Sequence, residues 1–589
     1  MSRNNQNDHV AKASHLSKYI LPGISAIIAA TIYWFWAFPY RAALSYREQL
    51  QLFQTTGNYL NFMASRPAGL STYVSELLTQ FFNNYWAGAA VMTVLLLAFF
   101  LLIYLINGRF SSADHKATDF TLALCPLMAL WLYLGNPDVT VSFVVAVSLA
   151  LAAAYIFTFL KNYIPMFAGT VLLYWLTGPA TVVFSLSIIS YVWRDSNLSV
   201  KQKAIFSAIS IAWLAANICL WSCYLPYPLS YQLIGIGFSM MPDSLAAGQV
   251  IVEALCVVIP VVAIFISKVP VKVSLPVLIA AEVIAAVVIY PKAYDKTTYR
   301  LIDYDYLVRA NNWNGILLYS DRHDPDLPLS VSATNLALGM TGQLDSRAFA
   351  YFQNGPEGMF PPFSKETLSS WTSGEIFFQL GLINSAQRFY FEGMEAIPNY
   401  NKSSRAIRRL AETAMIRGDY NVAEKYLRLL ENTLFYKKWA RRNLALIKEK
   451  GGVENHPLYG RLRARMIDED YMFSEGELDK TLGQLFLKDP NNNLAKQYLI
   501  VYPLLQRDLN KFTQYMGVVA ESQPQYNPTL AQQVMAFMSM QNGKPIPPGA
   551  VAPGIEQSLR DFARAWTSKD PSRLEPYRRT LYYYLLSNE

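Results

Sequence analysis

The stretch 163-YIPMFAGTVLLYWLTGPATVVFSLSIISYVW-193 decides how this chain is threaded. It is apolar throughout, and Gly178-Pro179 splits it into runs at 163–177 and 179–193. Glycine loosens a helix and proline removes one of its donors, so the pair breaks a helical run. The halves read either as two membrane spans or as one broken element.

Further apolar runs lie on both sides, at 19–39, 85–107, 120–134, 139–160, 203–222, 249–267 and 274–291. Most are long enough to cross a bilayer as a helix. With both halves of 163–193 counted, the chain has about nine spans. The first run ends in Tyr33, Trp34, Phe35 and Trp36. A removed signal peptide ends in small residues, so this run reads as an uncleaved span.

Composition agrees. Of 589 residues, 53% are hydrophobic and only 16% charged, against about 25% charged in an average soluble domain. The formal charge of +8 divides evenly at Pro291, and no basic run marks a nucleic-acid groove. Cys125, Cys219, Cys223 and Cys256 all fall in apolar runs, and the five histidines are scattered. This excludes a disulfide framework and a structural zinc site. No glycine-rich phosphate loop, GxSxG elbow or Cys/His nucleophile pair is present.

Basic residues set the orientation. Arg3, Lys12, Lys18, Arg109, Lys116, Lys161, Arg194, Lys201, Lys203, Lys268 and Lys272 fall on one side of the nine-span arrangement. Arg41, Arg47 and Arg66 fall on the other. The positive-inside rule makes the first side cytoplasmic. The expected organisation is a cytoplasmic tail (1–18), a transmembrane domain (19–291) with a long external loop (40–84), an external helical-repeat domain (292–540), and a linker with a last helical segment (541–589).

The repeat is visible directly. "GLINSAQRFYFEGME" begins at Gly381 and "GDYNVAEKYLRLLEN" at Gly418, with Asn384 matching Asn421, Ala386 matching Ala423 and Phe389 matching Tyr426. This spacing is close to the tetratricopeptide period of about 34. A weaker third copy is "LLQRDLNKFTQYM". The fold class is therefore all-α: a polytopic membrane domain followed by soluble tetratricopeptide-like helices.

The external loop, 40-YRAALSYREQLQLFQTTGNYLNFMASRPAGLSTYVSELLTQFFNNYW-86, is far longer than a connection needs. Tyr46, Leu50 and Phe53, then Leu70, Val74, Leu77, Leu78 and Phe81, recur at helical spacing. They read as two interfacial helices broken at Arg66-Pro67-Ala68-Gly69. On one reading Arg47 and Glu48 are their solvated face; on the other they are the working residues. Two carboxylates also lie within spans, Glu253 and Glu282. Such groups face a partner or a wet cavity, because hydrocarbon penalises charge. The clusters at 320–328 (SDRHDPDLP) and 468–470 (DED) read as a polar turn and a charged surface run.

In layout the chain is similar to polytopic glycosyltransferases of the GT-C superfamily, which carry an acid near the start of a long first external loop. That resemblance implies Glu48 as catalytic base or ligand of a divalent cation; the nine-span arrangement puts Glu253, a second candidate catalytic residue, near the outer end of its span, level with the loop. Arg41 and Arg47 would hold the phosphate of a polyprenyl-phosphate-linked sugar. The superfamily's acid is usually Asp, often paired, and here the loop's other acid is Glu76. The segments "YREQLQLF", "PAGLSTYVSELLTQFF", "YWLTGPA", "NLALGMTGQL" and "TLYYYLLS" also resemble a family of uncharacterised multipass proteins of Bacteroidota. That resemblance implies an inner-membrane protein with a periplasmic helical domain.

Two functions follow as expectations. The first is a transferase moving a sugar or glycan from a lipid carrier to a periplasmic acceptor. The second is a non-enzymatic scaffold whose repeats bind a periplasmic protein or peptide. Anchoring needs one span, and the surplus favours the first.

Overall fold

The computed structural model describes residues 2–111, 115–160, 162–240, 247–293, 295–397, 402–467 and 478–587, with side chains from Ile20 onward except at 290–293. Among the described residues the regular elements are helices, and Val139 and Ser239 form an isolated antiparallel bridge. The DED segment at 468–470 lies outside the described residues.

The chain divides into two compact units. The first comprises residues 1–296 together with two short later segments, 397–404 and 432–437; the second comprises 297–396, 405–431 and 438–589.

The first unit contains α1 (Ser2–Ala37), α2 (Arg41–Gln49), α3 (Gly57–Ala64), α4 (Gly69–Thr79), α5 (Tyr85–Phe110), α6 (Lys116–Gly135), α7 (Val141–Phe157), α8 (Pro165–Thr177), α9 (Thr181–Arg194), α10 (Val200–Tyr224), α11 (Leu229–Ile234), α12 (Ala247–Ile266) and α13 (Val271–Ala293). Six of these hold stretches long and apolar enough to cross a membrane: α1, α5, α6, α10, α12 and α13. Their outward faces are apolar, as at Leu101, Ile211, Phe265 and Val283. A surface of that kind suits hydrocarbon rather than water. Helix α7 is apolar but shorter.

Pro165–Arg194 has the length and composition of a further span, but it does not run straight. The Tyr163 hydroxyl donates to the Asp195 carboxylate at 3.1 Å. A straight helix would hold these residues more than about 40 Å apart. Met166, Leu173, Phe184, Ile188 and Val192 share one buried cluster, so α8 and α9 lie side by side as a hairpin. Gly178 makes the turn, with φ +55. Its arms of 13 and 14 residues are each about 20 Å long, short of the roughly 30 Å hydrocarbon. Of the two readings of this stretch, two spans or one broken element, the hairpin is the second. Either arrangement returns the chain to the end it left, so the sorting of loops to the two ends is unchanged.

One end of this unit gathers the feet of that hairpin, the end of α5 and the end of α7. Arg109 Nη2 donates to the Thr158 carbonyl at 2.9 Å, and the Tyr191 hydroxyl donates to the same oxygen at 3.1 Å. The other end gathers the long loop, the α6–α7 connection, the hairpin tip and residues 225–240. The Ala68 N–H donates to the Trp175 carbonyl at 3.1 Å, the Ser71 hydroxyl to Leu176 O at 2.6 Å, and the Thr140 N–H to Phe238 O at 3.1 Å.

The loop itself departs from the two-helix expectation. Helix α2 stops at Gln49, residues 50–56 run irregularly, and α3, α4 and a short 3-10 turn (Gln80–Asn83) follow. The expected break at 66–69 is present: Ala68 takes φ +59 and turns α3 onto α4.

The second unit is an array of helices that includes α14 (Lys296–Arg309), α15 (Trp313–Arg322), α16 (Pro328–Met340), α17 (Leu344–Arg347), α18 (Thr367–Leu380), α19 (Ile383–Glu395), α20 (Ser404–Arg417) and α21 (Tyr420–Glu431). The repeat read from sequence is the pair of hairpins α18–α19 and α20–α21. Ala386 and Ala423, fully buried, let the arms approach. Each hairpin closes with the same bond, from Leu382 N–H to Phe377 O and from Asp419 N–H to Ala414 O, both 2.9 Å. Gly381 and Gly418 sit at the left-handed position that this closure requires. The same closure recurs at Asn311, Gly342, Arg507 and Gly543. Arg507 lies in the third copy, which lacks glycine there.

Inside this unit α14, α18 and α20 share a buried charge network. Arg405 donates to both oxygens of Asp305 at 2.8 Å, and Arg409 bridges Glu375 at 2.7 Å and Glu412 at 2.6 Å. Burial alone would raise the Glu375 pKa, but Arg409, Gln379, Arg405 and Tyr390 together outweigh it and hold the group below its ordinary value. The 320–328 cluster is a polar turn, with Arg300 donating to the Asp326 carboxylate at 2.5 Å.

Candidate functional site

The loop end of the first unit holds most of the polar residues singled out from sequence. Arg41, at the first turn of α2, is exposed. Arg47 is only 5% exposed. Its Nη2 donates to the carbonyls of Leu134 and, at 2.6 Å, Asn136. Those oxygens belong to the C-terminal end of α6, where a helix has carbonyls to spare and favours a cation. Trp36 stacks beneath the guanidinium at 5.6 Å. Arg47 thus caps α6. Nearby Asp138 has its pKa raised by burial, with Arg47 opposing.

Glu48 is 1% exposed. The Tyr436 hydroxyl lies 3.1 Å from both carboxylate oxygens, and the Ser404 hydroxyl donates to Oε1 at 3.2 Å. Backbone bonds support this placement. Ser404 N–H donates to Gln51 O at 3.2 Å, and Thr55 N–H donates to Asn432 O at 2.9 Å. The reading of Arg47 and Glu48 as a solvated face is therefore overturned: both are buried and hydrogen-bonded. Their partners come from α6 and from segments 397–404 and 432–437.

Glu253 is half-buried on α12 and accepts from Gln249 Nε2 at 3.2 Å; Gln249 also donates to Ile234 O at 2.8 Å. Glu48 and Glu253 engage different partners. Glu282 is half-buried on α13. Among the described residues, no three His, Cys, Asp or Glu side chains gather as metal ligands.

A second polar group forms where α3 folds onto α4. Glu76, 5% exposed, accepts a hydrogen bond from Tyr59 on Oε2. Burial pushes the Glu76 carboxyl up to about 7, with Tyr59 and Arg66 opposing. Burial likewise raises the Tyr59 phenol. Glu76, Arg66, Gln51, Thr72, Thr140 and Ser142 line a cavity of about 20 Å³, the size of one water. Thr140 and Ser142 both donate to the Gly237 carbonyl on its rim. The sequence names Glu76 only as the loop's other acid. The signal available was the break at 66–69, which brings α3 and α4 together.

An apolar groove of about 570 Å³ lies beside these elements. Phe35, Trp131, Leu132, Ile251, Leu255 and Ala286 line its length, with Tyr40 and Asn136 at the loop end. Its walls are faces of α1, α6, α12 and α13. The segment 136–142 joins the two features, since Asn136 borders the groove and Thr140 and Ser142 the cavity.

The chain belongs to a family of proteins of unknown function (DUF6057), whose pattern matches residues 16–588. No curated protein and no solved structure matches it.

Proposed function

For this member of a family of unknown function, we propose a multi-pass inner-membrane transferase of envelope biogenesis, GT-C-like in layout. It takes a polyprenyl-phosphate-linked sugar or glycan from the bilayer and passes the sugar to a periplasmic acceptor. The observation that carries this reading is the groove between α1, α6, α12 and α13. It is apolar along its length, it lies among membrane-crossing helices, and it ends beside a polar cluster. A lipid with a long chain and a polar head matches that sequence of surfaces.

In the transfer, an acceptor hydroxyl oxygen bonds to the anomeric carbon while the bond from that carbon to the phosphate oxygen breaks. Polyprenyl phosphate leaves, and the hydroxyl proton passes to a base. The N-terminus is cytoplasmic in this reading and the second unit periplasmic, its tetratricopeptide-like hairpins receiving the acceptor. Glu48 and Arg47, held by buried partners, shape the loop. Arg41 is exposed next to Tyr40, which borders the groove's loop end.

The test is photo-cross-linking of the full-length protein in bilayers with a diazirine-bearing polyprenol. Cross-links are expected at Ile251, Leu255 and Ala286, and Ala285→Trp should suppress them. Cross-links spread evenly over the lipid-facing helices would overturn the reading. The scaffold alternative is favoured by the engagement of Glu48, a candidate base, with Ser404 and Tyr436. Under that alternative the second unit alone restores a deletion strain.

A further inference from the structure

The groove reading leaves the polar head of the lipid without an assigned seat, and this inference rests on that reading. The cavity at Glu76 has the donors and acceptors that such a head requires. Among the described residues, Arg66 Nε is buried without a hydrogen-bond partner. Its Nη2 meets only the weak acceptor Met63 Sδ, at 3.0 Å. On Glu76, Tyr59 occupies Oε2, and no donor reaches Oε1 among the described residues. The Arg66 guanidinium, over the Phe62 ring at 5.3 Å, and the Glu76 carboxylate therefore line one small cavity, and no ion pair joins them among the described residues. The buried Arg66 Nε calls for an acceptor, and Glu76 Oε1 can take a donor from the same ligand.

A phosphodiester joined to a hydroxylated ring supplies both. Its anionic oxygen accepts from Arg66, as phosphates do from guanidinium forks, and a ring hydroxyl donates to Glu76 Oε1. The hydroxyls of Thr72 and Ser142, on α4 and α7, border the same space. The cavity as it stands admits one phosphoryl oxygen or one water, and Arg66, half-exposed, marks its open side. We infer that the Arg66–Glu76 cavity anchors the phosphosugar head through one oxygen that enters it, with Arg66 binding phosphate at the open side and Glu76 binding a sugar hydroxyl. This assigns to Arg66 the phosphate-binding role that the sequence reading gave to Arg41 and Arg47.

The groups acting on Glu76 are few. Tyr59 of α3 and Arg66 of the turn are the charged or titratable ones; α7 and residues 236–240 contribute hydroxyls, a carbonyl and the Met240 thioether. The Glu76 carboxyl, raised by burial to about 7, becomes anionic as pH rises and then opposes a nearby phosphate.

The experiment uses full-length protein in nanodiscs and two probes of equal chain length, a polyprenyl phosphohexose and the free polyprenol. The diester keeps one negative charge from pH 6 to 8. Wild type is expected to prefer the phosphohexose by about tenfold at pH 6, as one charge-assisted bond supplies, with the preference falling toward pH 8. Arg66→Gln should bind both lipids equally, retained polyprenol binding showing that it folds. Glu76→Gln should keep the preference and lose its pH dependence. An undiminished preference in Arg66→Gln, or a persisting pH slope in Glu76→Gln, overturns the assignment. Equal binding of both lipids by wild type overturns it and spares the groove. No binding of either overturns both.

Discussion

Tyr163 and Asp195 are hydrogen-bonded at 3.1 Å across 32 positions of sequence, so the two feet of α8–α9 stand together. Cysteines placed at Asn162 and Asn197 should therefore react with an impermeant thiol reagent from the same face of the membrane. Labelling from opposite faces would restore a straight span and remove the hairpin.

Gly178 is tightly constrained. Its backbone is left-handed, and a Cβ there would lie 2.9 Å from the Ala68 Cβ. Gly418 is also left-handed, but its added Cβ would find nothing nearer than 3.5 Å. Backbone strain of about 1 kcal/mol is common to both alanine variants. Gly178→Ala should lose about 1–3 kcal/mol more through the clash. Thermal unfolding of the two variants measures the difference, and equal losses would mean that the hairpin tip does not press on Ala68.

Glu48 and Tyr436 form a buried pair. Tyr436→Phe should cost about 1–3 kcal/mol, because it strips a donor from a buried carboxylate. Glu48→Gln and Tyr436→Phe should be non-additive when combined, by about 1 kcal/mol. Strict additivity in a double-mutant cycle would separate the two residues.

Stability should respond to pH through Glu76. Its carboxyl titrates near 4.5 when unfolded and at about 7 when folded. The folded state thus holds the proton more tightly. The stabilisation is fully present below pH 4.5 and is lost as pH rises through about 7. The span corresponds to roughly 3 kcal/mol. Denaturant melts of wild type and Glu76→Gln between pH 5 and 8 test this; the variant's profile should be flatter, and parallel profiles would exclude Glu76 as the source.

Asp305 and Arg405 are 1% and 7% exposed and joined by two bonds. Asp305→Asn leaves a buried guanidinium without its counter-ion and should destabilise the second unit by about 3–5 kcal/mol. A loss under 1 kcal/mol in a thermal melt would show the pair to be solvated.

Much of the second unit was legible because its signals are local. Gly381 and Gly418 each govern a turn a few residues wide, and Ala386 and Ala423 mark the close approach of helices within one hairpin. Arg507 hid a further turn, because an arginine carries no preference for left-handed backbone. In the first unit the Gly178-Pro179 break was readable, but the direction of α9 after it was not. That direction depends on Phe184 and Ile188 packing against Met166 and Leu173, a contact that periodicity alone does not encode. The fate of Glu48 was the least legible. Its partners Ser404 and Tyr436 lie 356 and 388 positions away, and nothing near residue 48 announces them. Glu76 and Tyr59 were close enough in sequence to pair, yet the pairing needed Ala68 in a conformation unusual for alanine.

The short arms of α8–α9 carry a mechanical consequence. Arms of about 20 Å fall about 10 Å short of a full span, and the polar loop fills the difference: Ala68 and Ser71 rest on the hairpin tip through bonds to Trp175 O and Leu176 O. The loop and the hairpin together therefore make up one layer of the first unit, and a change that shortens either arm must move the loop with it.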